Sequence, residues 1–354
     1  MLVRILKELL FAPKAGRDKV RAAFDAGVAT FNAGDYAAAS EQFARVLRAD
    51  PMHLSARVFA GRAASKGGRY REAIESFECA RALDPANSQI HCLAGEAYWT
   101  LGDNEAAWKC CETALRCTPV HLLAYALMAQ ISLPGQNYAE LLPLLHDHLR
   151  PRTYVEIGVD SGLSIAHARP ETRAIGIDPL PKVAQPLGAL TVIHAMTSDD
   201  FFATHDVRTE LDDLPIDLAF LDGMHHFEFA LRDFINVEKL CTPQSTILIH
   251  DCYPLDRATA ERERRTHFWS GDIWRTLLAL RKYRPDLVVH TIAAPPTGLG
   301  IVRGLDPGSR VLQENLDEIV SEYLALDYSV LDTDKAGMLA LYPNDWEKIK
   351  AILQ

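Results

Sequence analysis

The sequence predicts two domains: an all-α helical solenoid over residues 1–150, followed by an α/β domain over residues 151–354. Three observations predict this architecture. A 34-residue repeat fills the first half, short apolar strands alternate with helices in the second half, and a strand–glycine turn–strand unit opens that second half. With 354 residues, of which 48% are hydrophobic and 24% charged, the chain is long enough to bury two cores.

The repeat is visible as columns of residues spaced 34 positions apart. The columns are Gly27, Gly61 and Gly95; Gly34, Gly68 and Gly102; Ala39, Ala73 and Ala107; Phe43, Phe77 and Cys111; and Pro51, Pro85 and Pro119. This pattern resembles the tetratricopeptide repeat, in which each unit is a pair of antiparallel helices. We expect units at residues 20–53, 54–87 and 88–121, followed by a degenerate capping unit with helices at 122–133 and 138–149.

A solenoid of this kind predicts that a protein or peptide partner binds in a concave groove. The alternative is that the repeats form a homo-oligomer or brace the second domain, because solenoid architecture alone does not fix a partner. No row of aromatic or arginine residues specifies a ligand.

A nucleoside-cofactor pocket is predicted by residues 153–178, TYVEIGVDSGLSIAHARPETRAIGID. We expect a strand ending at Ile157, a turn between Gly158 and Gly162, a short helix, and a second strand that ends at Asp178. Such a turn lets backbone N–H groups approach a ligand, and the acid at the next strand's tip accepts hydrogen bonds from ribose hydroxyls. The spacing from Glu156 lacks the G-x-G-x-x-G of a dinucleotide site, and a carboxylate suits an amino-bearing or cationic ligand. An ordinary strand–turn–helix connection is the alternative.

Further strands are expected at residues 190–195, 216–221 and 245–250, and a hairpin at 287–302. Ligands in open α/β sheets bind at the carboxyl ends of the strands. This rule places the following residues on one rim: Glu156, Asp178, Ser198, Asp222, His250 and Asp251. Four of the six are acids, and this indicates a cationic sulfonium cofactor or a divalent metal.

Two further strings, FLDGMHHFEFALRDF and ILIHD, complete a resemblance that runs from Tyr154 to Asp251. The segment resembles class I S-adenosylmethionine-dependent methyltransferases, in particular small O-methyltransferases that act on sugars and natural products. The resemblance implies a Rossmann-like, mostly parallel seven-stranded sheet with a terminal antiparallel hairpin. It also implies an S-adenosylmethionine site formed by Glu156, Gly158, Ser161, Gly162, Asp178 and Ser198.

In the metal-dependent relatives, an acid at the position of Asp222 binds magnesium together with an acid pair that here is His250-Asp251. The resemblance therefore implies Asp222, His250 and Asp251 as metal ligands, and Asp222 and His225 as catalytic residues, with His225 as the base. Imidazole in place of a carboxylate disfavours magnesium and admits manganese, iron or zinc, so the need for a metal stays open. Alternatively, Asp222 caps a helix and His250 is a buried strand histidine.

The resulting prediction is a methyltransferase that acts on a hydroxyl of a saccharide or secondary metabolite, either free or carrier-bound. The alternatives are a scaffold that has lost catalysis and a related metal-dependent hydroxylase. The string HFWSGDIWR at 267–275 offers either a substrate wall with two tryptophans or a capped core helix.

Composition and charge argue against several other function classes. The net charge of −10 argues against nucleic acid and anionic membrane surfaces as partners. The first eleven residues, MLVRILKELLF, are too short and too charged for a membrane span, and we expect an amphipathic helix there. Seven cysteines without a C-x-x-C pair favour reduced thiols and a cytoplasmic location.

Overall fold

The computed structural model describes residues 14–188 and 190–354, and the chain divides into two compact units between Ile131 and Ser132. The amphipathic helix expected over the first eleven residues lies outside the described ranges. Among the helices within them, none has the length and apolarity that crossing a membrane requires.

The first unit is a stack of helices. They are α1 (Lys14–Asn32), α2 (Tyr36–Ala49), α3 (Leu54–Lys66), α4 (Tyr70–Leu83), α5 (Ser88–Thr100), α6 (Asn104–Cys117) and α7 (Leu122–Ser132). Each predicted unit contains one antiparallel pair, so the helical solenoid is confirmed.

The repeated glycines have the two roles that the sequence predicts. A Cβ atom on Gly27 would lie 2.7 Å from the ring of Phe43, and one on Gly61 would lie 2.5 Å from the ring of Phe77. These glycines therefore let paired helices approach closely. Gly34 turns the chain between helices with a left-handed φ of 84°, and its two equivalents do the same.

The second unit is built on one eight-stranded sheet. Its strands are β1 (Thr153–Ile157), β2 (Arg173–Ile177), β3 (Thr191–His194), β4 (Ile216–Leu221), β5 (Cys241–His250), β6 (Val288–Ile292), β7 (Leu299–Arg303) and β8 (Leu341–Tyr342). The strand order is β3-β2-β1-β4-β5-β7-β6-β8, and β7 runs antiparallel to both β5 and β6. The expected mostly parallel sheet with an antiparallel hairpin is confirmed, and β8 adds a short eighth strand to the seven expected.

Helices cover both faces of this sheet. They are α8 (Tyr138–Leu149), α9 (Ser198–Thr204), α10 (Val207–Glu210), α11 (Phe227–Glu238), α12 (Trp274–Tyr283), α13 (Val311–Glu314), α14 (Leu316–Leu324), α15 (Lys335–Met338) and α16 (Trp346–Ile352). One core lies between the sheet and α11, α12 and α14, and a second lies between the sheet and α8 and α16. Because the central strands are buried on both faces, they are almost continuously apolar.

Two elements differ from the expectation. The helix expected after the glycine turn is only a 3₁₀ turn at Ile165–His167. Helix α8, which the repeat pattern suggested as part of a capping unit, lies in the second compact unit. Its apolar stripe of Leu141, Leu142 and Leu145 packs in the same core as Phe220 of β4.

Candidate active site

A cavity of about 820 Å³ opens at the carboxyl ends of the central parallel strands of the second unit. This volume lies within the range of small-molecule and cofactor sites. The sequence-predicted residues that line it are Gly158, Ser161, Asp178, Ser198, Asp222, His225, His250 and Asp251. Glu156 and Gly162 do not line it.

Gly158 is the point where the turn after β1 meets the end of β4. Its φ is 91°, and a Cβ atom built on it would lie 1.9 Å from the backbone oxygen of Asp222. The Gly158 amide donates to the carbonyl of Ile177, and the Asp222 amide donates to the carbonyl of Ile157, each at 2.8 Å. The two strand ends therefore stay in contact only because residue 158 has no side chain.

Asp178, at the tip of β2, fixes the shape of the turn. Its Oδ2 accepts from the amide of Asp160 at 2.8 Å, and its Oδ1 accepts from the amide of Leu180 at 2.7 Å. Each carboxylate oxygen has a second lone pair, so Asp178 can also accept hydrogen bonds from a ligand in the cavity.

Glu156 lies beneath the cavity wall and is fully buried. The Tyr154 hydroxyl donates to its Oε2 at 2.6 Å, and the Ser164 hydroxyl donates to its Oε1 at 2.5 Å. Burial raises the pKa of Glu156 to about 8, although both hydroxyl hydrogen bonds oppose that rise. In this position, Glu156 orders the turn through Ser164.

The cavity lining also carries four ionisable side chains in mutual contact. His250 Nδ1 lies 3.0 Å from Asp222 Oδ1 and 3.4 Å from Asp251 Oδ2. His225 Nδ1 lies 3.0 Å from Asp251 Oδ2, and its Nε2 lies 3.7 Å from Asp222 Oδ1. The ends of β4 and β5, with the residues that follow them, thus bring together the two acids and two histidines predicted from the sequence.

Burial and charge act in opposite directions on these groups. Burial alone would lower the pKa of both histidines, but the neighbouring carboxylates Asp222 and Asp251 raise the pKa of each above its ordinary value. Conversely, burial would raise the pKa of Asp251, and the two imidazoles hold it below its ordinary value. Asp251 also has a left-handed φ of 62°, which is uncommon outside glycine and typical of functional sites.

Three of these residues offer a set of donor atoms for a metal. One ligand atom each from Asp222, His250 and Asp251 lies within 4.8 Å of the others. Asp251 Oδ2 is buried and close to both imidazoles, yet it receives no well-directed N–H. One imidazole and two carboxylates fit manganese, iron or zinc better than magnesium.

Residues 155–252 match the family model of a methyltransferase domain. Residues 24–64 and 60–121 match the family model of the tetratricopeptide repeat. A segment that matches a methyltransferase domain therefore follows a segment that matches tetratricopeptide repeats. No curated protein matches the chain.

Among the solved structures that resemble the chain are three that each cover about a third of it. The second tetratricopeptide domain of the human RPAP3 protein, in complex with an HSP70 peptide, is 26% identical, covers 33% of this chain and 97% of that one, and has a TM-score of 0.32. The first such domain of Spaghetti (RPAP3), bound to an HSP90 peptide, is 23% identical, covers 32% and 91%, and has a TM-score of 0.32. MamA is 23% identical, covers 32% and 61%, and has a TM-score of 0.31.

In the second unit, the segment that contains HFWSGDIWR holds His225 in place. The Trp269 ring stacks on the imidazole, with centroids 4.7 Å apart and planes 12° apart, and the Trp269 carbonyl lies 3.2 Å from His225 Nδ1. A Cβ atom on Gly271 would lie 1.9 Å from the carbonyl oxygen of His225. Asp272 is fully buried, accepts from the amide of Phe227 at 2.7 Å, and pairs with Arg262 and Arg275.

Two residues of the cavity lining, Tyr138 and Asp233, were not predicted from the sequence. Tyr138 of α8 lies over His250, with ring centroids 3.9 Å apart. Asp233 of α11 is buried, which raises its pKa to about 7, while the Ser198 hydroxyl lowers it by a hydrogen bond. An acid on the apolar face of a predicted helix was the available signal for Asp233. Nothing in the local sequence indicated Tyr138.

Proposed function

We propose that the chain is an S-adenosylmethionine-dependent methyltransferase that acts on a hydroxyl of a saccharide or secondary metabolite. The observation that carries this proposal is that one cavity is lined both by the glycine turn with Asp178 and by the cluster of Asp222, His225, His250 and Asp251. When bound, S-adenosylmethionine supplies an electrophilic methyl group to an acceptor oxygen.

In this proposal, the residues around the glycine turn bind the cofactor. The backbone at Gly158 and Ser161 lines the cavity without side-chain obstruction, and Asp178 faces it with free acceptor capacity. Ser198 lies at the start of α9 on the same rim. Glu156 and Gly162 support this side by fixing the path of the turn.

His225 is the base in this proposal. Its Nδ1 faces the Trp269 carbonyl and Asp251, so a proton on Nδ1 leaves the Nε2 lone pair to accept the hydroxyl proton of the acceptor. The neighbouring carboxylates then stabilise the imidazolium that forms. Asp222 orients the acceptor from the same side.

Asp222, His250 and Asp251 would hold a divalent ion of the manganese, iron or zinc class. When bound, such an ion would polarise the O–H bond of the acceptor hydroxyl. The three side chains otherwise form ion pairs among themselves, which fix their positions.

The repeats recruit a protein partner or a substrate carrier in this proposal, and the enzyme works in the cytoplasm. The match to the tetratricopeptide family and the helical stack support the binding role. Substrate presented on a carrier would explain why a methyltransferase domain is joined to such a stack.

Calorimetric titration of the full chain with S-adenosylhomocysteine tests the cofactor assignment. We expect one site per chain, and a Kd at least about tenfold higher in Asp178→Asn, equivalent to about 1.4 kcal/mol. Asp147→Asn is the matched control, because Asp147 is an exposed acid that pairs with Arg169 and does not line the cavity. Absence of binding by the folded wild type, or equal affinity in Asp178→Asn, would contradict the proposal.

A further inference from the structure

A second cluster of metal-ligating side chains lies at the β3 edge of the sheet, outside the cavity lining. One ligand atom each from His194, His205 and Glu210 lies within 4.8 Å of the other two. His194 ends β3, His205 follows the last residue of α9, and Glu210 ends α10. All three side chains are half-buried.

The imidazole of His205 is held so that one nitrogen stays available. Its Nδ1 lies 3.0 Å from the Thr204 hydroxyl, and its ring stacks on Phe201 with centroids 4.9 Å apart. A histidine whose one ring nitrogen is fixed by a hydrogen bond presents the other nitrogen to a metal, as metal-binding histidines commonly do. Here that nitrogen is Nε2.

His194 and Glu210 complete the donor set. His194 Nε2 lies 2.8 Å from Glu210 Oε2, and the rings of His194 and His205 meet edge to face with centroids 4.8 Å apart. A tetrahedral ion with bonds of about 2.0–2.1 Å needs donor atoms roughly 3.3 Å apart. The donor atoms lie within 4.8 Å of one another, so their separations need to change by at most about 1.5 Å, and an ion would replace the hydrogen bond between His194 and Glu210.

We propose that His194, His205 and Glu210 form a second metal site, specific for a divalent transition ion that prefers imidazole, such as Zn²⁺. Two imidazoles and one carboxylate disfavour magnesium and calcium, which prefer oxygen ligands. The site joins the end of β3 to the segment after α9. Between these two points lie Thr197, Ser198 and Asp199, which line the large cavity. The ion therefore stabilises one wall of that cavity.

Zinc titration of chelator-treated full chain tests this proposal without any activity measurement. The titration is done in a His250→Ala background, so that the cavity cluster does not contribute. We expect one zinc equivalent per chain, a zinc-dependent rise in Tm, and loss of both in His250→Ala/His205→Ala. His250→Ala/His290→Ala is the matched control, because His290 is a half-buried histidine of the same unit outside both clusters. It should retain the zinc equivalent.

Two further measurements keep the test decisive. Glu210→Gln preserves side-chain shape, and in the His250→Ala background it should weaken zinc by more than the roughly 10- to 100-fold that loss of an outer-shell partner costs. X-ray absorption of the zinc-loaded His250→Ala chain should show two imidazole nitrogens at about 2.0–2.1 Å. No zinc equivalent in the folded His250→Ala chain, or an unchanged one in His250→Ala/His205→Ala, overturns the proposal. Neither result bears on S-adenosylhomocysteine binding, so the two proposals fail separately.

Discussion

Replacing Gly158 with alanine tests whether close contact between β1 and β4 forms the cavity. The new Cβ would lie 1.9 Å from the Asp222 oxygen and 2.4 Å from its carbonyl carbon, so backbone must retreat by roughly 1 Å to reach the 3.0 Å that real Cβ contacts keep. Both strand ends are tied by backbone hydrogen bonds at 2.8 Å, to Ile177 and to Ile157. The substitution therefore has to break or stretch these bonds.

The magnitude follows from two contributions. The left-handed φ of 91° costs an alanine about 1–2 kcal/mol. Losing the two hydrogen bonds adds about 1 kcal/mol each, so Gly158→Ala should destabilise the second unit by about 3–4 kcal/mol. Gly162→Ala is the control. Its φ is 77°, but its nearest neighbours are side-chain atoms of Gln185 and Val183 at 3.1 Å, which can rotate away. We expect only the strain of about 1–2 kcal/mol there.

Hydrogen exchange with mass spectrometry measures this difference within the second unit alone, at peptides that contain β1 and β4. This resolution is needed because a chain of two units does not unfold in one step. S-adenosylhomocysteine titration should also show a larger loss for Gly158→Ala than for Gly162→Ala, since the end of β4 carries Asp222. Equal protection and equal affinity in the two variants would refute the close-contact argument.

Two other predictions concern buried acids. Burial raises the pKa of Glu156 from an ordinary 4.5 to about 8, so the folded chain retains a proton that the unfolded chain loses, and stability falls as pH rises through that window. Denaturation at several pH values between 5 and 8 should show a slope of up to about 1.4 kcal/mol per pH unit that Glu156→Gln lacks; equal slopes would contradict the assignment. Asp272→Asn should destabilise the second unit by about 1.5–3 kcal/mol, because the fully buried Asp272 carboxylate loses its charge-assisted hydrogen bonds to the half-buried Arg262 and Arg275. Asp327→Asn, which breaks the exposed pair with Arg257, should destabilise the chain clearly less than Asp272→Asn in the same denaturation assay; similar losses would refute the burial argument.

Helix α8 shows why the local sequence pattern did not determine the packing partner of every helix. Leu141, Leu142 and Leu145 form an apolar stripe that fits a repeat helix as well as a sheet-covering helix. An apolar stripe predicts that one face of a helix is buried, but it does not identify the surface that covers this face. That surface depends on how all the helices and strands of the chain pack together. Its packing on the sheet places Tyr138 over His250, a contact that no spacing in the sequence encodes.

The residues of the candidate site were likewise predictable from the sequence only in part. The residues at strand tips could be predicted, because parallel strands end at one edge and their next residues must converge there. Glu156 could not be placed, since an acid within a strand end can face either the cavity or the layer beneath it. The helix expected near residue 165 shortened to a 3₁₀ turn, in which Ser164 reaches Glu156. The stack of Trp269 on His225 joins residues 44 positions apart and depends on the path of a loop.

The sequence by itself determined the elements whose signals are periodic or local: the 34-residue helix pairs, the alternating strands and helices, and the acids and histidines at strand ends. These follow from backbone geometry, which repeats with every turn and every strand. Only the tertiary structure decided which surfaces meet, and so which carboxylates line the cavity, which are buried beneath it, and how His225 is held. Such contacts depend on packing among residues distant in the chain, and that packing is a property of the whole fold.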